Sequence, residues 1–283
     1  MPNSKIIRTA PETQEEKGWN PPSGTLGELV AAAHRRSEQL NPDHDFGRIT
    51  RDRRGIVSLE SALRGEAVAI IAEIKRSSPS KGSINPQLDS SAQAAAYETG
   101  GASAISVLTE PDRFGGSDED IVRAKAGAAL PILKKDFHVT PRQLAHAAGL
   151  GVSAALVIVR ALSPENLASL AATAREVDLE LVFEVRDERE LDRALSVDAR
   201  MIGVNNRNLE TLEVHPDTVS RIVPLIPSDR IAIAESGYTD RASIESAADA
   251  GADAVLIGSY VSASRDPASA VTSIASIPRI RRG

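Results

Sequence analysis

A carboxylate and an ammonium group stand two residues apart where the apolar run VAIIA ends. They belong to Glu73 and Lys75, and if the run is a β-strand, both side chains lie on one face of it. In a partly dry cavity, such a pair keeps both groups charged or tunes the pKa of each, as acid–base chemistry requires. The alternative is an ion pair with a purely structural role, and the pair alone does not decide between these interpretations.

Two further apolar runs end in ionisable residues. Lys134 and Lys135 are adjacent, so one should face each side of a strand, and the alternation does not tell which. A lysine at a strand end can be a general acid, a phosphate partner or a Schiff-base nucleophile, whereas a surface lysine is the alternative. Glu184 follows the run LVF, and for a lone glutamate a capping or salt-bridged carboxylate is the favoured alternative.

Two short segments combine serine with glycine. Ser236-Gly237 follows the run IAIAE, and Gly258-Ser259 follows AVLI. Glycine lets the backbone approach an anion closely, and serine hydroxyls and exposed N–H groups can bind its oxygens. Two ordinary glycine turns are the alternative, but two such segments after successive apolar runs favour a phosphate site.

The elements that must position these residues are indicated by continuous apolar runs, which alternate with alanine-rich helical stretches. Such runs are typical of parallel strands covered on both faces. Thr140-Pro141, Ser163-Pro164 and Asp266-Pro267 each predict a helix start, because a capping residue precedes proline at the first helical position. The sequence predicts eight strands: Val68–Ile74, Ala104–Leu108, Ile132–Lys135, Ala154–Val159, Leu181–Val185, Met201–Asn205, Ile231–Glu235 and Ala254–Gly258.

Eight strand–helix units at regular spacing predict an α/β protein, a (β/α)8 TIM barrel with an N-terminal helical extension. A doubly wound open sheet is the alternative, but it usually carries a glycine-rich dinucleotide loop after the first strand, where this sequence has EIKRSSPSKGS. We predict a flexible segment over residues 1–24, a helical extension over 25–65 that covers the barrel, and the catalytic barrel over 66–283.

In such a barrel, the active-site groups come from the carboxyl ends of the strands and the loops that follow them. Many barrels bind phosphate after strands seven and eight. The sequence therefore predicts one site at this end, built from residues at the predicted strand ends: Glu73, Lys75, Lys135, Glu184, Asn205, Arg207, Glu235, Ser236, Gly237, Gly258 and Ser259.

The composition argues against several other classes of function. The chain has 283 residues, no cysteine and a formal net charge of -6, so it has no disulfide, thiolate ligand or broad positive field for nucleic acid. The five histidines show no metal-ligand spacing, and we predict no metal. With no secretory signal and no apolar run near the roughly 20 residues that span a bilayer, we predict a cytoplasmic protein without membrane contact, and we expect a monomer.

Arginine is concentrated in two places, and we expect both clusters to lie on a solvated surface. They are Arg48, Arg51, Arg53 and Arg54 in the extension, and Arg279, Arg281 and Arg282 in the tail.

From about Glu66 to the end of the last predicted strand, the sequence resembles the indole-3-glycerol phosphate synthase family. KRSSPSKG, KKDF and NNRNL together are specific to this family among phosphate-binding barrels. The segments that carry the resemblance occur in the family's order and spacing: AEIKRSSPSKG (72–82), ISVLTEPDRFGGS (105–117), PILKKDF (131–137), VFEV (182–185), IGVNNRNLETLEV (202–214), AESG (234–237) and LIGS (256–259).

The resemblance implies a reaction and roles for the polar residues. The family converts 1-(2-carboxyphenylamino)-1-deoxyribulose 5-phosphate to indole-3-glycerol phosphate, with loss of carbon dioxide and water and without a cofactor. Lys135 resembles the general acid of ring closure. Glu184 resembles the carboxylate that handles protons during condensation and dehydration. Lys75, held by Glu73, resembles the lysine that assists water loss.

The resemblance also implies how the small phosphorylated substrate is held. Asn205 and Glu235 resemble residues that orient its hydroxyl and anilino groups. Arg207 and Ser78 resemble the side that receives the anthranilate carboxylate. The residues that resemble the phosphate cradle are Ser236, Gly237, Gly258 and Ser259. Phe137 and Leu156 resemble the apolar wall against the aromatic ring.

Three residues depart from the family's pattern, and other functions stay open. A smaller aliphatic residue is expected in place of Phe183, aspartate in place of Asn208, and a residue other than tyrosine in place of Tyr260. These differences bear on the reaction rate and the substrate affinity more than on the type of reaction. The alternatives are a phosphoribosylanthranilate isomerase, a Schiff-base aldolase acting through Lys135, and a non-catalytic relative that binds a sugar phosphate.

Overall fold

A closed barrel of eight parallel strands forms the centre of the computed structural model, which describes residues 19–40, 53 and 55–283. Each strand pairs with its neighbours in the chain, and the first strand pairs with the last. The predicted (β/α)8 TIM barrel is therefore confirmed. The strands are β1 Ala69–Ile74, β2 Ala104–Leu108, β3 Ile132–Lys135, β4 Ala154–Ile158, β5 Glu180–Val185, β6 Met201–Asn205, β7 Ile231–Glu235 and β8 Ala254–Ile257.

Four of these strands have the predicted bounds, and each of the other four differs by one residue at one end. Val68 precedes β1 and donates its N–H to the carbonyl of Ile277, outside the barrel ladder. Val159 opens a 3-10 turn after β4, and Gly258 caps the short helix after β8. The apolar runs thus locate the strands, whereas the turns, helix starts and contacts beside them set the terminal residues of each.

Helices follow the strands around the outside of the barrel. Three of them begin at the predicted Thr140, Ser163 and Asp266, each immediately before a proline at the first helical position. The helices are α1 Gly24–Glu38, α2 Leu59–Ala62, α3 Ser90–Thr99, α4 Pro111–Phe114, α5 Asp118–Gly127, α6 Pro141–Gly149, α7 Pro164–Glu176, α8 Glu188–Ser196, α9 Asp217–Ile222, α10 Arg241–Asp249, α11 Ser259–Ser262 and α12 Pro267–Ile274. No helix of the described residues is long and apolar enough to cross a membrane.

Among the described residues of the extension, helices α1 and α2 contact opposite ends of the barrel. At the carboxyl end, α1 buries Leu26 and Leu29, and Leu29 reaches the central cavity. At the amino end, Glu180, the first residue of β5, accepts the N–H groups of Leu59 and Glu60 and so caps α2. The extension therefore packs on the barrel at both ends.

Residues 19–23, at the end of the segment predicted to be flexible over 1–24, form hydrogen bonds with loops of the barrel. Trp19 donates its indole N–H to the carbonyl of Arg160 at 3.2 Å, and Arg160 donates to the carbonyl of Asn20 at 2.7 Å. Ser23 donates its backbone N–H to Glu210 at 2.7 Å. These contacts attach residues 19–23 to the loops after β4 and β6. Residues 1–18 lie outside the described part of the chain.

Three arginines expected on a solvated surface are buried or half-buried at the amino end of the barrel. Arg53 is only 6% exposed and donates to the carbonyls of Val152 and Asp178, and burial lowers its pKa. Arg279 and Arg282 lie 2.6 and 2.9 Å from the buried carboxylate of Asp253. For these three arginines the surface interpretation is wrong, because the parallel strands begin here and present carbonyls and a carboxylate that need donors.

The other arginines of those clusters differ from these. Arg281 is exposed and lies 3.3 Å from Glu66, as expected of a surface residue. Arg48, Arg51 and Arg54 fall outside the described residues.

Candidate active site

One cavity of about 340 Å³ opens at the carboxyl ends of the strands. All fourteen residues that the sequence analysis assigned to the site line it, although they come from seven different strands or the loops after them. They are Glu73, Lys75, Ser78, Lys135, Phe137, Leu156, Glu184, Asn205, Arg207, Glu235, Ser236, Gly237, Gly258 and Ser259.

At the centre of the cavity, one lysine lies between two buried carboxylates. The Nζ atom of Lys135, at the end of β3, is 2.5 Å from Oε2 of Glu235 on β7 and 3.6 Å from Oε2 of Glu184 on β5. Burial favours the neutral amine, but the charges of Glu235, Glu184 and Glu73 outweigh it and raise the pKa of Lys135. The lysine therefore carries its proton over the whole physiological pH range.

Glu235 is the carboxylate whose charged form the site disfavours. It is 1% exposed, and burial raises its pKa, against the opposing charge of Lys135. Its Oε1 atom has no hydrogen-bond partner among the described residues. That atom lies over Gly203 of β6, where a Cβ atom would collide with it. Glycine at this position therefore makes room for the carboxylate that holds Lys135.

A second ion pair lies in the cavity at the carboxyl end of β1. Glu73 and Lys75, at the end of β1, are 2.8 Å apart, on the same side of the strand as predicted. A Cβ atom at Gly258 would meet both side chains, so this glycine also makes room for charged groups. Ser262 and Tyr97 fix the backbone here, since both donate to the carbonyl of Glu73, at 2.6 and 2.9 Å.

The structure decides which of the two adjacent lysines faces the cavity. Lys134 points outward to the helices, where it donates to Thr109 at 2.8 Å and pairs with Asp118. Lys135 points into the barrel. The outward cluster continues to His146, which lies 2.6 Å from Asp118. His138, one of the five histidines, is buried, and its Nδ1 atom lies 2.7 Å from the carbonyl oxygen of Leu156.

Aromatic and aliphatic side chains form one wall of the cavity. Phe137 and Leu156 were predicted there, and the structure adds Phe114 and Leu29. The rings of Phe114 and Phe137 have centroids 6.4 Å apart and are inclined by 38°. Leu29 belongs to the extension, which was predicted to cover the barrel. Its place in the cavity could not be seen from the sequence, because helix α1 joins the site from outside the strand–helix repeat.

Arg207 and Ser78 lie at the cavity edge on loops that hold their own shape. Arg207 donates to the carbonyl of Leu212 at 2.7 Å, while its backbone N–H donates to the side chain of Asn205 at 2.9 Å. Ser78 accepts the N–H of Lys81 at 3.2 Å. Lys81 also lines the cavity and was missed, although its position in KRSSPSKG was a usable signal for a cation near the substrate.

The serine and glycine segments turn the chain sharply at the ends of β7 and β8. Ser236 and Gly237 both have a left-handed backbone, with φ of 67° and 97°. Since serine rarely adopts this conformation, the turn is strained, as is common at functional sites. Asn206 stabilises it by donating to the carbonyl of Ser236 at 3.1 Å. Ser259 starts α11 beside it. No group of described residues could hold a metal ion.

The closed barrel and the convergence of ionisable residues at its carboxyl end define a (β/α)8-barrel enzyme. Among solved structures, the fold is similar to thiamine phosphate pyrophosphorylase from Pyrococcus furiosus, with 12% identity, a TM-score of 0.56 and coverage of 77% of this chain and 96% of that one. It is also similar to a designed cube-shaped protein cage, with 16% identity, a TM-score of 0.52 and coverage of 73% and 70%. At these identities the likeness concerns the fold alone.

The sequence comparisons are more specific. The family profile described as indole-3-glycerol phosphate synthase matches residues 27–274. A protein of that name from Streptomyces griseus is 46% identical over 226 residues, which cover 79% of this chain and 84% of the relative. Another from Mycolicibacterium gilvum is 46% identical over 214 residues, which cover 76% and 79%. The chain therefore belongs to the indole-3-glycerol phosphate synthase family.

Proposed function

We propose that this protein catalyses the decarboxylating ring closure of 1-(2-carboxyphenylamino)-1-deoxyribulose 5-phosphate to indole-3-glycerol phosphate. The observation that carries the proposal is the cluster of Lys135 with Glu184 and Glu235, brought together from three strands beside an apolar wall. Membership of the family supports the reaction type, and the cavity's charges support the individual steps.

We assign the first proton transfer to Lys135. Ring closure joins the aromatic carbon that bears the carboxylate to the carbonyl carbon of the sugar, and the carbonyl oxygen gains a proton. The neighbouring carboxylates keep Lys135 in its ammonium form, so it can stabilise the developing charge on that oxygen and deliver the proton. Loss of carbon dioxide then restores the aromatic ring.

The second half of the reaction removes water from the closed ring. One proton must reach the departing hydroxyl, and another must leave the ring. We assign the removal to Glu184, since its 3.6 Å separation from Lys135 is longer than a hydrogen bond and leaves the carboxylate accessible to substrate. We assign the delivery to Lys75, which Glu73 holds at 2.8 Å.

The remaining cavity residues are assigned to binding. Arg207 and Ser78 would receive the anthranilate carboxylate, and Asn205 and Glu235 would orient the anilino and hydroxyl groups. The strained turn at Ser236 and the start of α11 at Ser259 would receive the phosphate. The ring would pack on the apolar wall, whose low dielectric strengthens each charge interaction.

The test is the stoichiometry of the reaction. With the carboxyphenylamino-deoxyribulose phosphate as substrate, indole fluorescence should grow while one carbon dioxide is released for each indole formed. Turnover without carbon dioxide release would contradict the proposal.

An aldolase acting through Lys135 is disfavoured because Schiff-base formation needs a neutral amine, and the pKa of Lys135 is raised. Borohydride in the presence of a carbonyl substrate tests this alternative, since it would trap the enzyme covalently only if a Schiff base forms. An isomerase that relies on a cysteine is excluded by composition.

A further inference from the structure

We propose that Arg36, on helix α1 of the extension, is a positioning residue for the aromatic wall of the active site. The inference rests on the proposed function, because it concerns how the site binds the substrate's ring. Arg36 spans two loops of the barrel. Its Nη1 atom lies 3.3 Å from Oε1 of Glu110, after β2, and its Nη2 atom lies 3.0 Å from Oδ1 of Asp136, after β3.

Each of these carboxylates also holds the backbone beside one ring of the wall. Glu110 accepts the N–H groups of Asp112, Arg113 and Phe114 at 2.7–3.2 Å and thereby caps α4. Asp136 accepts the N–H of Phe137 at 2.8 Å. The two carboxylates that Arg36 joins thus fix the main chain at the two phenylalanines whose rings form the wall.

The two ion pairs of Arg36, here called the Arg36 bridge, balance the negative charges of Glu110 and Asp136. Glu110 is fully buried and Asp136 is 11% exposed at its side chain. Among the described residues, Arg36 is the one cation within ion-pair distance of Glu110. Burial acts to raise the pKa of Asp136, but the positive charge of Lys134, the hydrogen bond from Thr109 and the charge of Arg36 more than offset it, so that its pKa is lowered. Without Arg36, Asp136 would keep Lys134 at 3.7 Å, but the buried carboxylate of Glu110 would lose its cation and the two loops would lose their shared partner.

Helix α1 adds its own side chain to the wall through the same contact. Leu29 precedes Arg36 by seven residues, which is two helical turns, so both side chains lie on one face. Leu29 lines the cavity, and the ion pairs of Arg36 anchor its helix to the two loops. The bridge therefore sets the distance between three apolar contributors to the wall: Leu29, Phe114 and Phe137.

The test compares two ligands in three variants. One ligand is a carboxyphenylamino sugar phosphate with an alcohol in place of the carbonyl, which binds without reacting. The other is ribulose 5-phosphate, which lacks the ring. The variants are Arg36→Met, which keeps the stem and removes the charge, Arg36→Lys, which keeps the charge without its two-pronged geometry, and Arg35→Met, a control at the exposed neighbouring position of α1.

Arg36→Met should bind the ring-containing ligand about 10- to 10²-fold more weakly, as expected for a misplaced contact surface. Its affinity for ribulose 5-phosphate should be unchanged. Arg36→Lys should lose less affinity for the ring-containing ligand and none for ribulose 5-phosphate. If Arg36→Met does not fold, the comparison is made with Arg36→Lys instead. Arg35→Met should match the wild type. Guanidinium at millimolar concentration should partly restore ring binding to Arg36→Met, because Arg36 borders a cavity of about 240 Å³ on the outer side of the barrel.

Equal losses for both ligands, or equal behaviour of the Arg35 and Arg36 variants, would overturn the positioning role. These outcomes differ from failure of the proposed function, in which the wild-type protein itself would not bind the ring-containing ligand.

Discussion

Glu184→Gln separates a proton carrier from a structural ion-pair partner. Glutamine keeps the size and hydrogen-bonding capacity of the side chain but cannot exchange a proton as the carboxylate does. If Glu184 removes the ring proton, kcat should fall by at least about 10²-fold. The limb of the pH–rate profile that reports this carboxylate should flatten as well.

The structure also gives the expected change in stability. Breaking a buried pair is usually costly because one charge is left without a partner. Here Lys135 keeps Glu235 at 2.5 Å, and the substitution removes the desolvation cost of a carboxylate that is 4% exposed. We therefore expect the free energy of unfolding to change by no more than about 1 kcal/mol, which corresponds to a shift in Tm of roughly 2–4 °C.

The assay is kcat against pH, together with Tm, for the wild type, Glu184→Gln and Glu190→Gln. Glu190 is a suitable control because it is also a buried glutamate, lies in the helix after the same strand, and does not line the cavity. Its substitution should leave kcat unchanged. A large loss of stability in Glu184→Gln with a near-normal rate would refute the catalytic role and return the residue to a structural one.

Three further outcomes are expected. Combining Ser236→Ala with Ser259→Ala should mainly raise KM, because phosphate is remote from the reacting atoms, and unchanged substrate affinity would contradict the phosphate assignment. Burial raises the pKa of Glu190 from 4.5 to about 7. Between pH 4.5 and about 7 the folded protein therefore keeps a proton that the unfolded chain has lost, and the free energy of unfolding falls as the pH rises. The Tm of the wild type should therefore fall relative to Glu190→Gln between these pH values, as thermal unfolding across the range would show. Asp253→Ala should lower the free energy of unfolding by about 3–5 kcal/mol, since it leaves two arginines buried without their carboxylate, and denaturant unfolding with only a small change would contradict that pairing.

The strands and the site could be predicted from the sequence for one physical reason. Parallel strands covered on both faces need continuous apolar runs. The first polar residue after each run therefore marks the carboxyl end of a strand, where the active site of such a barrel lies. This rule located Glu184, Asn205 and Glu235 without any knowledge of their partners. It could not separate Lys134 from Lys135, because adjacent residues alternate sides and only the closure of the barrel decides which side is inside.

What the sequence could not show are contacts between distant segments that do not follow the repeat. Leu29 and Arg36 reach the site from the N-terminal extension, and nothing in the spacing of α1 indicates which loops it meets. Arg53 and Arg282 looked like surface charges for the same reason. Their partners are carbonyls and a carboxylate at the amino end of the barrel, and a cluster of arginines in sequence does not reveal them.

The central claim is that Lys135 is the proton donor of ring closure, and its neighbour provides a matched control. Lys134 is adjacent in sequence and also buried, but it faces the helices. The decisive measurement is the rate of indole formation at saturating substrate by Lys135→Met and Lys134→Met. Lys135→Met should lose about 10²–10⁴-fold in kcat, as expected when a general acid is removed, while Lys134→Met keeps most of the wild-type rate. A near-normal kcat in Lys135→Met, or equal losses in both variants, would contradict the account.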